Sequence, residues 1–253
     1  MNDRLRNCLD AQKYWGNYKQ IFVFTSLLEL GFRVREFLYL VKVFEELSQE
    51  GFRLIFPSYT YSSRRGEVFD PLLTPPDPLV GAVSRMLFEK SSFTGRTFDP
   101  DFSYFIVDNG KKMLPTDEYE FSRSFGDNSH HAELLKIKSA VLLIGPVLET
   151  GLTLAMHLES KFGVPWRENI ETQYFCARKR MRVKHTYFAQ KENFPTDRLP
   201  RRKNLYPLIR NLETFAESDC DEIPWSLFGW EDFETDFCRR LEENVYFQAL
   251  ARI

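Results

Sequence analysis

The stretch from Ala140 to Arg167, AVLLIGPVLETGLTLAMHLESKFGVPWR, narrows the fold more than any other part of the chain. It opens on an apolar run, Ala140 to Ile144, closed by Gly145 and Pro146, and a short run bounded by turn residues predicts a buried strand. A loop containing Glu149, Thr150 and Gly151 leads into Leu154, Ala155, Leu158 and Phe162, which recur at helical spacing until Gly163 and Pro165 stop the pattern. A strand that feeds a helix through a short polar loop places reactive side chains at the end of a sheet, and the first helical turn offers free N–H groups to an anion. Thr153 and His157 are four residues apart and share a helix face, with Met156 and Glu159 beside them. One of only four histidines in the chain sits here, which makes this helix the first place to look for chemistry.

The preceding residues repeat the theme. Ile21 to Thr25 reads as a strand, Val34 to Gln49 as an amphipathic helix, and Arg53 to Phe56 as a second strand closed by Pro57. That succession predicts the α/β class, with a central mixed sheet and helices on both faces. Val80 to Phe88 predicts a helix, Ser103 to Val107 a strand, and Glu118 to His131 a loop or short helices. Residues 1 to 18 read as a loosely patterned helix. Between them, Pro57 to Pro78 (PSYTYSSRRGEVFDPLLTPPDP) is irregular, and connections longer than about 12 to 15 residues are usually functional or disordered. Its hydroxyl and aromatic content, Tyr59, Thr60, Tyr61 and Ser62, fits a binding loop.

Beyond Arg167 the pattern loosens. Tyr174 to Phe188 alternates as one extended strand with Arg178, Arg180, Arg182 and Lys184 on one face, and Trp230 to Ile253 reads as a closing helix. Within that helix EENVYFQA resembles a protease-tag recognition sequence, but the helical pattern runs through it, so the match is read as coincidence. The expectation is one α/β domain over residues 1–253, less regular from about residue 168.

A chain of 253 residues can bury a large core. Its formal charge of −2 argues against a general nucleic-acid binder, which needs a basic surface. Cys8, Cys176, Cys220 and Cys238 are widely spaced and form no CxxC pair, so neither a metal site nor a disulfide framework is expected. No apolar run approaches the roughly 20 residues of a membrane span, and the polar N-terminus lacks the apolar core of a signal peptide. A soluble cytoplasmic protein, without membrane or nucleic-acid partners, is the expectation.

Five separated pieces together resemble the aminoglycoside 3-N-acetyltransferase family and its sugar-modifying relatives. They are VFTSLLELG (Val23 to Gly31), FPSYTYS (Phe56 to Ser62), GEVFDPLLTPPDPLVGAVSRMLF, GRTFDPDFSYFIVDNG (Gly95 to Gly110), and SFGDNS (Ser124 to Ser129) followed by the strand and helix ending in GVPWR. Their order and spacing over Val23 to Arg167 carry the match. The resemblance implies an enzyme that moves an acetyl or short acyl group from a coenzyme A thioester to an amine of an amino sugar, either an aminoglycoside or a nucleotide-linked sugar. Resistance to such an antibiotic, or its biosynthesis, would be the setting, with no metal required. A sugar amine must shed a proton to attack, which calls for a base, and the thioester oxygen calls for donors.

The sequence departs from the family pattern at two points. Met156 stands where the family's T-x-x-H-x-x-E has its base, leaving His157 about 100° further round the helix. Phe24 stands in place of the histidine in the family's VHSSL-like run. On this reading His157 is the base, Thr25, Ser26 and Thr153 support the thioester, Glu159 orients a histidine or binds the sugar amine, and Tyr59, Thr60, Tyr61 and Asp99 contact substrate. Gly81 and Ser84, at a helix start, meet the coenzyme. Each has a plainer alternative: a satisfied histidine on a helix flank, turn and cap hydroxyls, a carboxylate capping its own turn, an exposed helix glutamate. His130 and His131 read as surface residues, and the arginine-rich strand as a solvated face or a coenzyme diphosphate contact. Two rival functions follow from the missing histidines. One is a lapsed family member that acts as a binding module. The other is an acyltransferase served by an acyl carrier protein docked on the basic strand. A homodimer stays open.

Overall fold

The computed structural model describes residues 12–27, 31, 33–109, 121–150, 152–218 and 224–249. Gly151 and residues 1–11 of the expected first helix lie outside them; Gln12–Trp15 forms one helical turn. The strands are β1 (Gln20–Thr25), β2 (Arg53–Pro57), β3 (Val68–Phe69), β4 (Gly95–Arg96), β5 (Tyr104–Val107), β6 (Ser139–Ile144), β7 (Arg167–Cys176), β8 (Met181–Gln190), β9 (Ala216–Glu217) and β10 (Trp225–Gly229). The helices that matter here are α1 (Val34–Gln49), α2 (Ala82–Glu89), α3 (His130–Leu134), α4 (Thr153–Phe162) and α5 (Trp230–Glu243).

Seven strands form the main sheet in the order β4-β5-β2-β1-β6-β10-β9. The middle of it is parallel, β1 pairing with β2 on one side and with β6 on the other, while β5 and β10 flank it antiparallel. The sheet is therefore mixed, as expected. Alternation along β1 sorts its side chains onto two cores. Phe22 and Phe24 join Val141 and Leu143 of β6 beneath α4 and α5, whereas Ile21 and Val23 join Leu142 and Ile144 beneath α1 and α2. Helix α4 ends where the sequence says it should: Gly163 takes the left-handed conformation (φ 63°) that a Cβ would penalise.

Three expectations fail. Residues 174–188 are not one strand. β7 and β8 pair over ten residues each, Arg167 opposite Gln190 down to Cys176 opposite Met181, with the turn at 177–180. The turn carries no Gly or Pro to announce it, and Arg180 itself takes the left-handed conformation (φ 53°). Arg178 and Arg180 consequently leave the strand face that Arg182 and Lys184 occupy. The region after residue 168 is thus more regular than expected: its hairpin joins β3 in a second sheet and its β10 returns to the first. Lastly, the final helix stops at Glu243 rather than running through the tag-like residues. Those residues still belong to the fold, since Gln248 is fully buried. No helix among the described residues is long and apolar enough to cross a membrane.

Candidate active site

β1, β2 and β6 all run the same way, and the C-terminal ends of β1 and β2, with Val147 just beyond β6, line a cleft of about 160 Å³. Chain direction explains its position. The connection through α1 carries β1 to β2 on one side, whereas β6 joins on the other, and such a switch point leaves a crevice beyond the strand ends. Thr25 ends β1, Pro57 ends β2, and Thr153 begins α4; Tyr59, Tyr61 and Ser84 complete the polar lining. Gly81 abuts the cleft: at φ 112° and ψ 163° its backbone is open only to glycine, and a Cβ there would lie 3.9 Å from the Thr25 carbonyl.

Five expected site residues, Thr25, Tyr59, Tyr61, Ser84 and Thr153, therefore share one cavity. Ser26 follows Thr25 and its N–H donates to the Ile144 carbonyl at 2.9 Å, extending the β1–β6 ladder. Thr60 is buried below the cleft, its hydroxyl donating to the Pro100 carbonyl. The long Pro57–Pro78 connection is held from beneath by Arg96. That side chain is fully buried between the rings of Phe69 and Phe105 and donates to Ser58, Ser103, Pro71 and Thr74. Burial lowers the Arg96 guanidinium to about 9.

Behind the cleft lies a polar cluster that contains all four histidines of the sequence, each at most 3 % exposed. His130 and His131 are thus core residues, not surface ones. The short helix α3 that carries both is capped by Ser129, which accepts from the Ala132 N–H and fixes the entry of the chain. His130 Nδ1 sits 3.3 Å from Asp99 Oδ2, an ion-pair distance whose angle falls short of a hydrogen bond, and its Nε2 donates to the Phe102 carbonyl at 3.0 Å. His185 Nε2 lies 2.9 Å from Ser124 Oγ and 3.7 Å from Asp99 Oδ2. His131 Nδ1 donates to the Ser124 carbonyl at 2.7 Å, which leaves Nε2 to accept from the Tyr104 hydroxyl at 3.1 Å. The Tyr59 hydroxyl in turn donates to Tyr104 at 3.2 Å, and Tyr59 lines the cleft together with Thr153.

The electrostatics follow from these contacts. Burial works to raise the Asp99 carboxyl, but His185 and His130 and the Phe102 N–H outweigh it and hold the group well below the ordinary carboxylate range. Burial pushes the neighbouring Asp101 up. It also pushes the phenols of Tyr59 and Tyr104 up, so both stay protonated. Burial, with His130 and His157 nearby, takes His131 well below its ordinary value. No group of three or more His, Cys, Asp or Glu among the described residues is placed to hold a metal ion.

His157, the expected base, belongs to this cluster and not to the lining of the cleft. Its ring stacks 6.1 Å from that of His131, and its buried Nδ1 has no hydrogen-bond partner among the described residues. Burial, aided by Lys161 and His130, lowers it to about 3. Met156 is half-buried and packs on the core. Asp99 both caps its own turn, its Oδ1 accepting from the N–H groups of Asp101 and Phe102, and faces the histidines; it does not line the cleft.

Glu159 faces neither cleft nor solvent. It is fully buried and accepts from Arg167 Nε at 2.9 Å, Arg202 Nη1 at 2.7 Å, Arg202 Nη2 at 2.9 Å and Gln248 Nε2 at 3.0 Å. Burial works against its charge and the two arginines overcome it, so its carboxyl is held below the usual value. Every lone pair is taken, which leaves none for a substrate.

Sequence reasoning missed Tyr104, Ser124, His185 and Arg64. Tyr104 and His185 lie within strands, where nothing local distinguishes them from core or surface positions. Arg64 projects over the rings of Tyr61, Phe102 and Tyr187 at 4.8, 4.8 and 4.5 Å. Tyr61 belongs to the cleft. Tyr187 belongs to a second depression of about 510 Å³ along the hairpin, where Glu168 and Glu192 also stand.

A sequence profile described as aminoglycoside 3-N-acetyltransferase matches residues 25–205. No curated protein sequence matches. Among solved structures, AAC-VIa bound to sisomicin aligns with a TM-score of 0.75 at 16 % identity, over 96 % of this chain and 97 % of that one. AAC-IIIb binary with CoASH aligns at 0.72 and 15 %, covering 96 % of each chain. The YokD protein from Bacillus subtilis aligns at 0.72 and 13 %, over 95 % of this chain and 94 % of its own.

Proposed function

The chain belongs to the aminoglycoside 3-N-acetyltransferase family, a family of N-acyltransferases, and from that premise we propose that it transfers an acetyl group from a coenzyme A thioester to an amine of an aminoglycoside-type amino sugar. The observation that carries the proposal is the gathering of Thr25, Ser84, Tyr59, Tyr61 and Thr153 around one cleft at the ends of the parallel strands. At about 160 Å³ the cleft is smaller than the 300 Å³ or more of a typical ligand pocket. It suits the thioester end of the donor and the reacting amine, with the bulk of both molecules outside. The hydroxyls of Thr25 and Thr153 on the cleft lining suit donors to a thioester oxygen, and Ser84, in the first turn of α2 behind Gly81, suits the pantetheine arm.

The acceptor approaches along the β7–β8 hairpin in this proposal. The carboxylates of Glu168 and Glu192 in the second depression suit the ammonium groups of an amino sugar, and the ring of Tyr187 suits a sugar face. Structures of AAC-VIa with sisomicin and of AAC-IIIb with CoASH support the two ligand classes by kinship of fold. Calorimetric titration with acetyl-coenzyme A tests the proposal: one saturable site is expected, lost in Ser84→Trp, which fills the cleft. Well-folded protein that binds neither acetyl-coenzyme A nor free coenzyme A would overturn it.

A further inference from the structure

The proposed transfer has a proton to move, and the sequence has a methionine where the family's base stands. Neither Met156 nor His157 lines the cleft. One hydrogen-bonded chain does reach from the cleft to an imidazole. It begins at Tyr59, which lines the cavity beside Thr153, passes through the fully buried Tyr104 hydroxyl, and ends on His131 Nε2, with links of 3.2 and 3.1 Å. The far nitrogen of that ring is fixed as a donor to the Ser124 carbonyl, so the near one is free to accept.

Resting on the transferase reading above, we propose that Tyr59, Tyr104 and His131 form a relay that takes the proton shed by the attacking amine and returns it to the departing sulfur. The donor supplies an acyl carbon bearing a sulfur leaving group. As the amine nitrogen bonds to that carbon, the Tyr59 oxygen accepts the nitrogen's proton while passing its own to Tyr104, and Tyr104 passes its own to His131 Nε2. As the carbon–sulfur bond breaks, its electron pair stays on sulfur, and the proton retraces the chain to it. The products are amide and thiol, and every side chain ends as it began. Burial keeps His131 neutral at rest with Nε2 open to accept, and Asp99 and the Ser124 carbonyl offset part of the cost of a transient charge there. A hydroxyl chain also needs no imidazole at the cleft itself, which fits Met156 and Phe24 in the family's histidine positions. Tyr59 is the catalytic residue of the set; Tyr104 and His131 act through it.

The test has two arms. In the first, Tyr59→Phe and Tyr104→Phe are assayed for thiol release from acetyl-coenzyme A with sisomicin as acceptor. Loss of an acid–base group is expected to lower kcat about 100-fold in Tyr59→Phe and about 10-fold in Tyr104→Phe, with acetyl-coenzyme A affinity within twofold of wild type. The second arm needs neither acceptor nor coenzyme: nitrogen NMR of labelled histidine in the free protein. It is expected to show His131 neutral with its proton on Nδ1, and the Nε2 signal is expected to move in Tyr59→Phe, two hydroxyls away. A tyrosine that only packs, outside the hydrogen-bonded chain, would not move it, and the loss of kcat in the first arm separates a relay from a static chain. The relay is overturned if Tyr59→Phe keeps kcat within threefold, or if wild-type His131 carries its proton on Nε2; the latter stands even if Tyr104→Phe fails to fold. Absence of acetyl-coenzyme A binding overturns the transferase reading instead, so the two failures are distinct.

Discussion

Helix α4 holds one residue in each of two buried polar clusters. His157 and Glu159 are two positions apart, about 200° round the helix, and face different neighbourhoods. The Glu159 cluster is closed: one carboxylate, two guanidinium groups and an amide satisfy each other. The histidine cluster is open: His157 Nδ1 lacks a hydrogen-bond partner among the described residues, Asp99 Oδ2 and His130 Nδ1 meet only as an ion pair at 3.3 Å, and its hydroxyl chain reaches the cleft. Both are charged and buried, so burial alone does not mark function. Completeness separates them, because a buried polar group left unpaired is costly and persists where something else is gained.

The largest expected effect comes from breaking the closed cluster. Glu159→Ala leaves Arg167 and Arg202, whose side chains are only 13 % and 11 % exposed, without their counter-charge. Removing one partner of a buried pair costs about 3–5 kcal/mol, and the urea midpoint should fall accordingly. A loss under 1 kcal/mol would mean that water reaches the arginines and that the closed cluster is not closed.

The open cluster should fail differently, through acid. His157 and His131 are held neutral, with folded values below the ordinary histidine value, His157 at about 3. The unfolded chain therefore takes up protons first, and stability is lost as pH falls below about 6.5. Each of the two histidines contributes roughly 1 kcal/mol per pH unit in that window. Glu159 and Asp99 have depressed values, so the stability they give is present above about pH 4 and fades only below it. Thermal melts between pH 7 and 5 thus report the open cluster, in which the raised Asp101 carboxyl opposes the histidines by favouring the fold as it takes up its proton. His157→Gln is expected to remove about half the slope there; an unchanged slope would place the acid sensitivity elsewhere.

How much of this was legible follows from what each signal depends on. The β1, β2 and β6 strands, α1 and α4 were readable because apolar periodicity is local, as was the Gly163 stop. The mixed sheet and two covered faces follow from element order. The cleft was half readable: Thr25, Tyr59, Tyr61, Ser84 and Thr153 lie just past strand ends or at helix starts, where an α/β sheet gathers its ligands. The histidine cluster was not. It is assembled from α3, α4, β5, β8 and the Asp99 turn, segments remote in sequence, and a polar context around His130 and His131 reads as surface. Glu159 was misjudged for the same reason, since its partners stand 8, 43 and 89 residues away. The hairpin turn at 177–180 was hidden because long-range pairing, and no turn residue, makes it.

The smallest expected effect sharpens the comparison most. A closed cluster that only fills and orients can be exchanged for apolar side chains of similar volume, because the desolvation of its charges offsets most of their attraction. The combined variant Glu159→Leu, Arg167→Met, Arg202→Met and Gln248→Leu should therefore keep its unfolding free energy in urea within about 2 kcal/mol of wild type, with acetyl-coenzyme A affinity unchanged. The single Glu159→Ala change, which removes far fewer polar groups, should be the more damaging of the two. That inversion is the signature of a structural pair, since it shows that the harm lies in the stranded arginines and not in the missing salt bridge. If the combined variant instead falls as far as Glu159→Ala, the ionic geometry itself sets where α4 sits, and with it Thr153 at the cleft.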